Sequence, residues 1–552
     1  MISSCNDWLA EPQPAKPGLA DYFIAGGGAA AIQAVNAAYV PLQWEYGSTF
    51  CPEWWIGDVA SDDALKGGQN VSDMAAAYEF DNFKIAENNA ILLDWYQLNF
   101  YGIARCNLDL EEIPTVAADS LMNENVRNRL MGEVYFLRAL YYFRLVKVFG
   151  EVPLITHTIK SSADWKQSKE SVDNIYKQIF TDLEKANRTL WTVDKLPASD
   201  VGRATKGAAQ AMLLKTHLYY AQWDNSHYAI AKEWGDSIIS SNKYALEPRY
   251  ADNFSIFNEN GVESVFEVQY SEESSSDWGG DFNPHFGSTR GSFTTVLTRS
   301  RSGITPLKPD MSGVSEGWGF NKPTHDLFSE FETGDIRREV SILNVPDSLM
   351  TNPNEEIYFG NSYLSRKYTL TGENIVKETY IAEITESGDT IRKERDNWCA
   401  LWDSHVSRSP INIKLIRYAD VLLLYAEACN ESGDFSTAKN ILNELRTIRR
   451  AETADPATQL PGFPYGAYSN DANGLRQAIR HERRVELAME SHRFFDLVRW
   501  GIAAETMNAY RQRETPEIQT VMNEFIAGKN EYFPLPQKEI DLSGFGQNDK
   551  WK

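Results

Sequence analysis

The sequence predicts a mainly α-helical fold, in which tetratricopeptide-like helix pairs form a scaffold and a loop-rich insertion with short β-strands interrupts it. Three observations predict it. Apolar residues recur with helical spacing over several long segments, a Gly-Asp turn joins two helices near residue 433, and residues 255–410 change to clusters of Ser, Gly, Asp and Asn. The 552 residues are 42% hydrophobic and 24% charged, the composition of an ordinary globular chain.

The clearest helix is predicted over residues 127–149, where apolar residues recur every three or four positions and Gly150 and Pro153 follow. These apolar positions are Leu130, Val134, Leu137, Tyr141, Leu145 and Val148. Other helices are predicted after the glycine triplet at 26–28 and over residues 72–108, 171–190, 206–223 and 228–241.

A second helix pair is predicted over residues 418–450. Gly433 ends the first helix as a left-handed cap, and Asp434 begins the second as an N-cap. One such pair cannot bury its own apolar face, so several must stack. We therefore expect three or four helix pairs, drawn from both ends of the chain.

Composition excludes several classes of function. Asp and Glu number 77 against 54 Lys and Arg, a formal charge of −23 that argues against a nucleic-acid partner and fits a solvated, extracytoplasmic surface. No run of about 18 apolar residues is found, so no membrane-spanning helix is expected. Phosphate loops, nucleophile elbows and metal-ligand spacings are absent from the sequence, which predicts no catalytic residue, no cofactor and no metal site.

The sequence has five cysteines, an odd number, so pairing them leaves one that needs a separate explanation. Residues 2–5, Ile-Ser-Ser-Cys, resemble the end of a bacterial lipoprotein signal, and a proline-rich tether follows. We interpret Cys5 as a lipid attachment site, the alternative being a free thiol near a frayed terminus. Disulfides among Cys51, Cys106, Cys399 and Cys429 remain open.

Five segments resemble, in order, the signatures of SusD/RagB-type proteins. They are residues 131–154, 317–338, 416–428, 482–501 and 532–536. Ser491 departs from the pattern, because the family commonly has glycine there, and this puts a local turn in doubt. The resemblance implies a surface lipoprotein of the outer membrane that binds glycans and is not an enzyme. It also implies a lid on a SusC-like TonB-dependent transporter, with the repeats facing the transporter and the ligand site in loops on the other side.

The implied organisation has four parts. Residues 1–21 are the lipoprotein anchor remnant and tether, 22–255 a helical part with tetratricopeptide-like pairs, 256–410 a variable ligand-binding insertion, and 411–552 a C-terminal pair with signature helices.

Sugar binding requires aromatic planes beside hydrogen-bonding side chains, and two loop regions offer both. Residues 44–66 carry Trp54, Trp55, Asp62, Asp63 and Lys66; residues 271–293 carry Asp277, Trp278, Asp281, Phe282 and His285. Trp278, between an aspartate and two glycines, is the strongest candidate for an exposed stacking ring. Adjacent tryptophans in an extended segment point to opposite sides, so one of Trp54 and Trp55 is expected in the core.

The charged segment 481–499 is predicted to be helical, with a row of Glu482, Glu486 and Glu490 and i,i+3 pairs Glu490–Arg493 and Asp496–Arg499. Paired carboxylates could hydrolyse glycosides. The alternative, which the sequence favours, is a structural ion network joining helices.

The leading hypothesis is a cell-surface glycan-binding lipoprotein that passes oligo- or polysaccharide to the transporter. Its expected partners are the glycan, the transporter and, through the lipid, the outer membrane. The alternatives are a non-catalytic interaction scaffold or peptide-binding lid of the same transporter and, with only acidic residues in its favour, a glycoside hydrolase.

Overall fold

The computed structural model describes residues 19–161, 166–271, 291–301, 317–345, 348, 350, 363–368, 377–384, 390–396, 409–450 and 460–552. Its helices are α1 (Leu19–Tyr39), α2 (Ala75–Asn82), α3 (Ala90–Glu112), α4 (Glu124–Phe149), α5 (Val172–Thr189), α6 (Lys206–Tyr220), α7 (His227–Ser240), α8 (Thr294–Thr298), α9 (His325–Glu330), α10 (Ile336–Ser341), α11 (Tyr418–Glu431), α12 (Phe435–Arg450), α13 (Ala472–Glu486), α14 (Arg493–Arg499), α15 (Ala503–Arg513), α16 (Pro516–Val521) and α17 (Gln537–Ser543).

The described strands form five two-stranded antiparallel sheets. The strands are β1 (Ala64–Gly67), β2 (Val152–Pro153), β3 (Lys169–Glu170), β4 (Ser264–Val268), β5 (Phe320–Pro323), β6 (Ile342–Asn344), β7 (Tyr363–Ser365), β8 (Lys377–Ile384), β9 (Thr390–Asp396) and β10 (Ile413–Arg417). They pair as β1–β5, β2–β3, β4–β10, β6–β7 and β8–β9. The mainly helical fold with short strands in the insertion is therefore confirmed.

Helix pairs form the scaffold, as predicted. Helices α4 and α5, α6 and α7, and α11 and α12 pack as consecutive pairs, while α5 packs on α6 and α7 on α11. Gly235 of α7 faces the ring of Tyr425 in α11 so closely that a Cβ would lie 2.2 Å from it. The pairs thus come from both ends of the chain and share one core.

The predicted signals at the helix ends hold. Gly150 ends α4 at φ 71°, as predicted; the start of the helix lies at Glu124, where Asn123, which the sequence analysis did not single out, accepts a hydrogen bond from the backbone of Val126. Gly433 adopts φ 86°, and the side chain of Asp434 accepts a hydrogen bond from the backbone of Thr437 at 3.2 Å. The two local patterns that predicted the pairs therefore correspond to real caps.

Two segments that were each predicted as one continuous helix are divided. Residues 72–108 form α2 and α3, because Phe83 takes a left-handed conformation and Asn89 caps a new helix. Residues 481–499 form the end of α13 and all of α14, separated by a turn in which Met489 and Ser491 have φ 62° and 65°. Neither break carries a proline or a glycine, the residues that most clearly end a helix in a sequence, which is why both were missed.

Helix α1 bends at Gly27, whose φ of 56° and ψ of −142° are not helical. The side chain of Asp119 accepts a hydrogen bond from the backbone of Gly28 at 2.7 Å and so caps the second part. This fits the prediction of a helix that begins after the glycine triplet.

By length and composition, one described helix over Tyr22–Gln43 could cross a membrane, with a mean hydropathy of 1.3. The core helix of a soluble protein can have the same length and composition, and α1 packs on α3 and α4. The expectation that no helix spans a membrane therefore stays a prediction.

Candidate functional site

The segment with Trp54 and Trp55 is folded inward. Trp55–Val59 is a π-helical turn, not the extended strand from which opposite orientations were expected. The two rings therefore lie side by side, with centroids 4.1 Å apart, and both side chains are buried. The indole nitrogen of Trp54 donates to Thr294 Oγ1 at 3.2 Å, and Trp55 packs edge-on against Phe320.

The two predicted aspartates of this segment are paired with arginines. Asp62 accepts two hydrogen bonds from Arg493 at 2.7 and 2.8 Å, and Asp63 accepts one from Arg484 at 2.8 Å. Burial raises the pKa of Asp63 to about 6. Burial also acts on Asp62, but the guanidinium groups of Arg484 and Arg493 hold its pKa below the usual value.

Lys66 is also buried, and its ammonium group donates to the backbone carbonyls of Asn70 and Asp73 at 2.8 and 2.6 Å. Burial lowers its pKa to about 8. Lys66 therefore closes the turn after β1. Contact between a sugar and the five predicted residues of the 44–66 region stays a prediction. The burial of these side chains does not support it.

The other predicted group, Asp277, Trp278, Asp281, Phe282 and His285, lies outside the described residues, as does Cys5. The chain on either side of 272–290 is described and firmly held. Tyr270 is buried, and its backbone nitrogen donates to Asn412 at 2.6 Å. Ser292 and Ser409 exchange backbone hydrogen bonds at 2.8 and 2.9 Å.

Glu45 joins the two predicted loop regions. Its buried carboxylate accepts hydrogen bonds from the hydroxyls of Ser292 and Thr294 and from the backbone of Phe293. Burial raises the pKa of Glu45 above its usual value. The sequence placed aromatic loops at 44–66 and 271–293, and the structure shows that the first supports the end of the second.

The cavity beside this contact is too small for a sugar. It has a volume of about 90 Å³ and is lined by, among others, Trp54, Glu45, Arg144, Lys147 and Tyr270. Ligand pockets generally have ~300 Å³ or more, and a water molecule occupies about 30 Å³. Space of this size suits a few waters, so this cavity gives no support to sugar contact on the inner face of Trp54.

The carboxylate row in the C-terminal segment is a structural ion network, as the sequence favoured. Glu482 pairs with Arg337 and Arg446 at 2.6 and 2.5 Å, and Glu490 pairs with Lys367 and Arg417 at 2.6 and 2.7 Å. All of these side chains are buried. Carboxylates fixed in this way inside the protein cannot reach a glycosidic bond, so they give hydrolysis no support.

One of the two predicted i,i+3 pairs forms. Asp496 and Arg499 are 2.8 Å apart, but Arg493 turns to Asp62, because the turn at 487–492 rotates α14 away from Glu490. In the described part of the chain, no group of three or more His, Cys, Asp or Glu side chains is placed to hold a metal ion. Cys51, Cys106 and Cys429 are buried free thiols.

Exposure of the tryptophans was the property on which the sequence-based site depended. Among tryptophans in the described ranges, Trp223 is the one that is exposed, with 47% of the residue's surface accessible. The sequence interpretation placed it at the end of a helix and did not consider it for binding. Its signal was the run Trp-Asp-Asn-Ser-His between two helices.

Comparison with known proteins agrees with this architecture. Residues 47–218 match a family described as "Starch-binding associating with outer membrane". A SusD-like protein of Formosa agariphila is 26% identical over 487 residues, which cover 85% of this chain and 83% of that protein.

Solved structures give the same result. A laminarin-binding SusD-like protein superposes with a TM-score of 0.72 at 27% identity, covering 94% of this chain and 98% of that one. Surface glycan-binding protein A from Bacteroides uniformis has a TM-score of 0.73 at 23% identity, covering 95% and 99%, and shows the fold. Residues 262–551, more than half of the sequence, match the SusD family model, and the chain therefore belongs to the SusD family.

Proposed function

We propose that this protein is a non-catalytic, surface-exposed glycan-binding lipoprotein of the outer membrane that passes oligo- or polysaccharide to a SusC-like TonB-dependent transporter. The observation that carries the proposal is the likeness, over nearly the whole chain, to a protein described as laminarin-binding. The family description of residues 47–218 supports glycan binding and association with the outer membrane.

The ligand site is proposed in the segment 272–290, with Trp278 as the stacking ring and Asp277, Asp281, Phe282 and His285 around it. Its support is chemical: an indole face beside carboxylate and imidazole groups suits a pyranose ring with its hydroxyls. The flanking residues Tyr270 and Ser292 are fixed by Asn412 and Glu45.

Isothermal titration with laminarin, starch, xylan and mannan tests the proposal. We expect binding to at least one of them, and a loss of about tenfold or more in Trp278→Ala. Phe257→Ala is the matched control, because this ring is 59% exposed on a short turn outside the proposed site. No binding to any of the polysaccharides would contradict glycan capture, and release of reducing sugar would contradict a non-catalytic role.

The anchor and the transporter are tested separately. The protein, produced in a Bacteroidota host behind a lipoprotein signal, should carry lipid on Cys5 and lose its membrane association in Cys5→Ala. Affinity capture of the native protein from detergent-solubilised outer membranes should recover a TonB-dependent transporter. Recovery of the protein without lipid, or without the transporter, would contradict the corresponding part of the proposal.

A further inference from the structure

The small cavity beside Glu45 is rich in positive charge. The cationic side chains that line it are Arg144, Lys147, Lys215 and Lys414. Two of them are neutralised by buried carboxylates, since Lys215 pairs with Asp420 at 3.0 Å and Lys414 pairs with Glu267 at 2.8 Å. The other two both lie on α4, and they decide the net charge of the cavity.

Arg144 and Lys147 share one carboxylate, that of Glu53. The ammonium group of Lys147 donates to it, and Nε of Arg144 lies 3.5 Å from its Oε2. Within the described ranges, neither cation has a second carboxylate within 4 Å. Two cations with one anion leave an excess positive charge, which is costly to bury without a further counter-ion.

The neighbouring titratable groups respond to this charge. Although burial raises the pKa of Glu53, Lys147 and Arg144 bring it to about 2. Burial lowers the pKa of Lys147 to about 8, and the charges of Lys215 and Arg144 act in the same direction. Burial likewise lowers the pKa of His492, which also lines the cavity, to about 3, and Lys215 contributes to this shift. The cations therefore act on all three groups as a positive field does.

Arg144 also has hydrogen-bond donors to spare. The residue is 7% exposed, and neither its Nε nor its Nη1 has a hydrogen-bond partner in the part of the chain that the structure describes. The ring of Trp95 covers one face of the guanidinium group, with its centroid 4.2 Å from the central carbon. Buried donors of this kind nearly always have a partner. Because Arg144 lines the cavity, an acceptor placed there can supply one.

The volume of the cavity limits the acceptor to a small one. A chloride ion is only slightly larger than a water molecule, so about 90 Å³ holds it together with one or two waters. Water alone would meet the donors but leave the charge. Glu45 is a weak counter-ion here, because its carboxylate accepts hydrogen bonds from Ser292, Thr294 and the backbone of Phe293, and burial raises its pKa.

We propose that this cavity is a binding site for a small monovalent anion, chloride in the first place, held by Arg144 and Lys147. The ion neutralises the excess charge on α4 and accepts a hydrogen bond from Arg144. Because it binds the folded protein only, it stabilises the fold. The site is separate from the glycan site and does not rest on the proposed function.

Urea unfolding at constant ionic strength, with gluconate replacing chloride, tests the site, since gluconate is too large for the cavity. For wild type, a tenfold rise in chloride above the dissociation constant should raise the urea midpoint by up to about 0.4 M. Arg144→Met should abolish this dependence. Arg188→Met should keep it, because Arg188 belongs to an exposed pair with Glu184. Equal wild-type midpoints in the two salts would overturn the proposal, and so would an unchanged chloride dependence in Arg144→Met.

Crystals of the wild-type protein grown in bromide locate the ion without a variant. Anomalous diffraction at the bromine absorption edge should show a peak in the cavity beside Arg144. Waters alone in the cavity would overturn the proposal. A bromide peak in a protein whose urea midpoint ignores chloride would also overturn it, because the peak would then be an adventitious ion only. None of these outcomes bears on the glycan titrations, so the two proposals fail separately.

Discussion

Removing one negative charge from the buried ion network should destabilise the protein strongly. Glu486 is fully buried, and its carboxylate accepts hydrogen bonds from Arg337, Arg417 and Arg449 at 2.9, 3.2 and 2.9 Å. Although burial raises the pKa of Glu486, these three guanidinium groups bring it well below the usual value. The variant Glu486→Gln keeps the shape of the side chain and removes only the charge.

The expected loss of stability follows from the charges that remain in the cluster. The three arginines stay buried, with Asp335, Glu263, Glu482 and Glu490 as their other partners, so the cluster loses one anion and keeps every cation. Removing one partner of a buried ion pair costs about 3–5 kcal/mol. In addition, the amide nitrogen of the new glutamine is a hydrogen-bond donor and would face the N–H donors of the arginines. Because the network retains its other carboxylates, we expect a loss at the lower end of this range, ~3 kcal/mol.

Urea unfolding followed by tryptophan fluorescence measures this loss. The urea slope rises with chain size and exceeds the ~3 kcal/mol per molar found for small proteins, so the midpoint should fall by somewhat less than about 1 M. The matched control is Glu184→Gln, because Glu184 forms an exposed i,i+4 pair with Arg188 at 3.1 Å and should cost less than ~0.5 kcal/mol. If both variants unfolded at the same urea concentration as wild type, the network would contribute nothing measurable and the reasoning would be refuted.

Three further predictions concern pH, the turn at Ser491 and the thiols. Burial alone lowers the pKa of His481, but Glu330 and Glu332 raise it to about 9. The positive charge on His481 therefore stabilises the folded state fully below the unfolded pKa, which is near 6.5. This stabilisation, at most about 3 kcal/mol, is lost as the pH rises through 9. Urea midpoints at pH 6 and 9.5 should therefore differ more for wild type than for His481→Gln, and equal differences would contradict the assignment. Gly57→Ala should lower the melting temperature markedly, because the new Cβ would lie 2.3 Å from the backbone oxygen of Ser491. Ser491→Gly should be neutral or slightly stabilising, because residue 491 has φ 65°, which glycine adopts without strain. A normal melting temperature for Gly57→Ala would show that the contact relaxes freely. Burial raises the pKa of Cys51 and Cys106, so neither thiol should react with iodoacetamide in the native protein at pH 8, and peptide mass spectrometry would reveal labelling if either is accessible.

The helical scaffold was predictable because its signals are local. In α4 the apolar positions from Leu130 to Val148 are all buried, and the Gly433–Asp434 turn sets the next pair. The breaks were not predictable in the same way. Phe83 and Met489 adopt left-handed backbone conformations that their residue types disfavour, and only the tertiary packing holds them there.

The candidate site was less predictable, because burial of a loop depends on distant residues. Nothing near Trp54 in the sequence shows that Thr294, 240 positions away, accepts its indole hydrogen bond. Likewise Asp62 and Asp63 look like exposed ligands until Arg484 and Arg493 cover them. Composition points to residue types that suit sugar binding, but it does not separate rings that face inward from rings that face solvent.

The recognisable motifs of this chain supply partners to one another. Arg337 comes from the segment 317–338, Arg417 from 416–428 and Glu486 from 482–501, and their charges meet inside the protein. Each partner is costly to bury alone, since desolvating an unpaired charge takes several kcal/mol, so the motifs stabilise the fold only together. Residues used in this way are withdrawn from the surface. The same motifs therefore identify the family and the scaffold, and the residues that select a glycan are expected outside them, as proposed for Trp278.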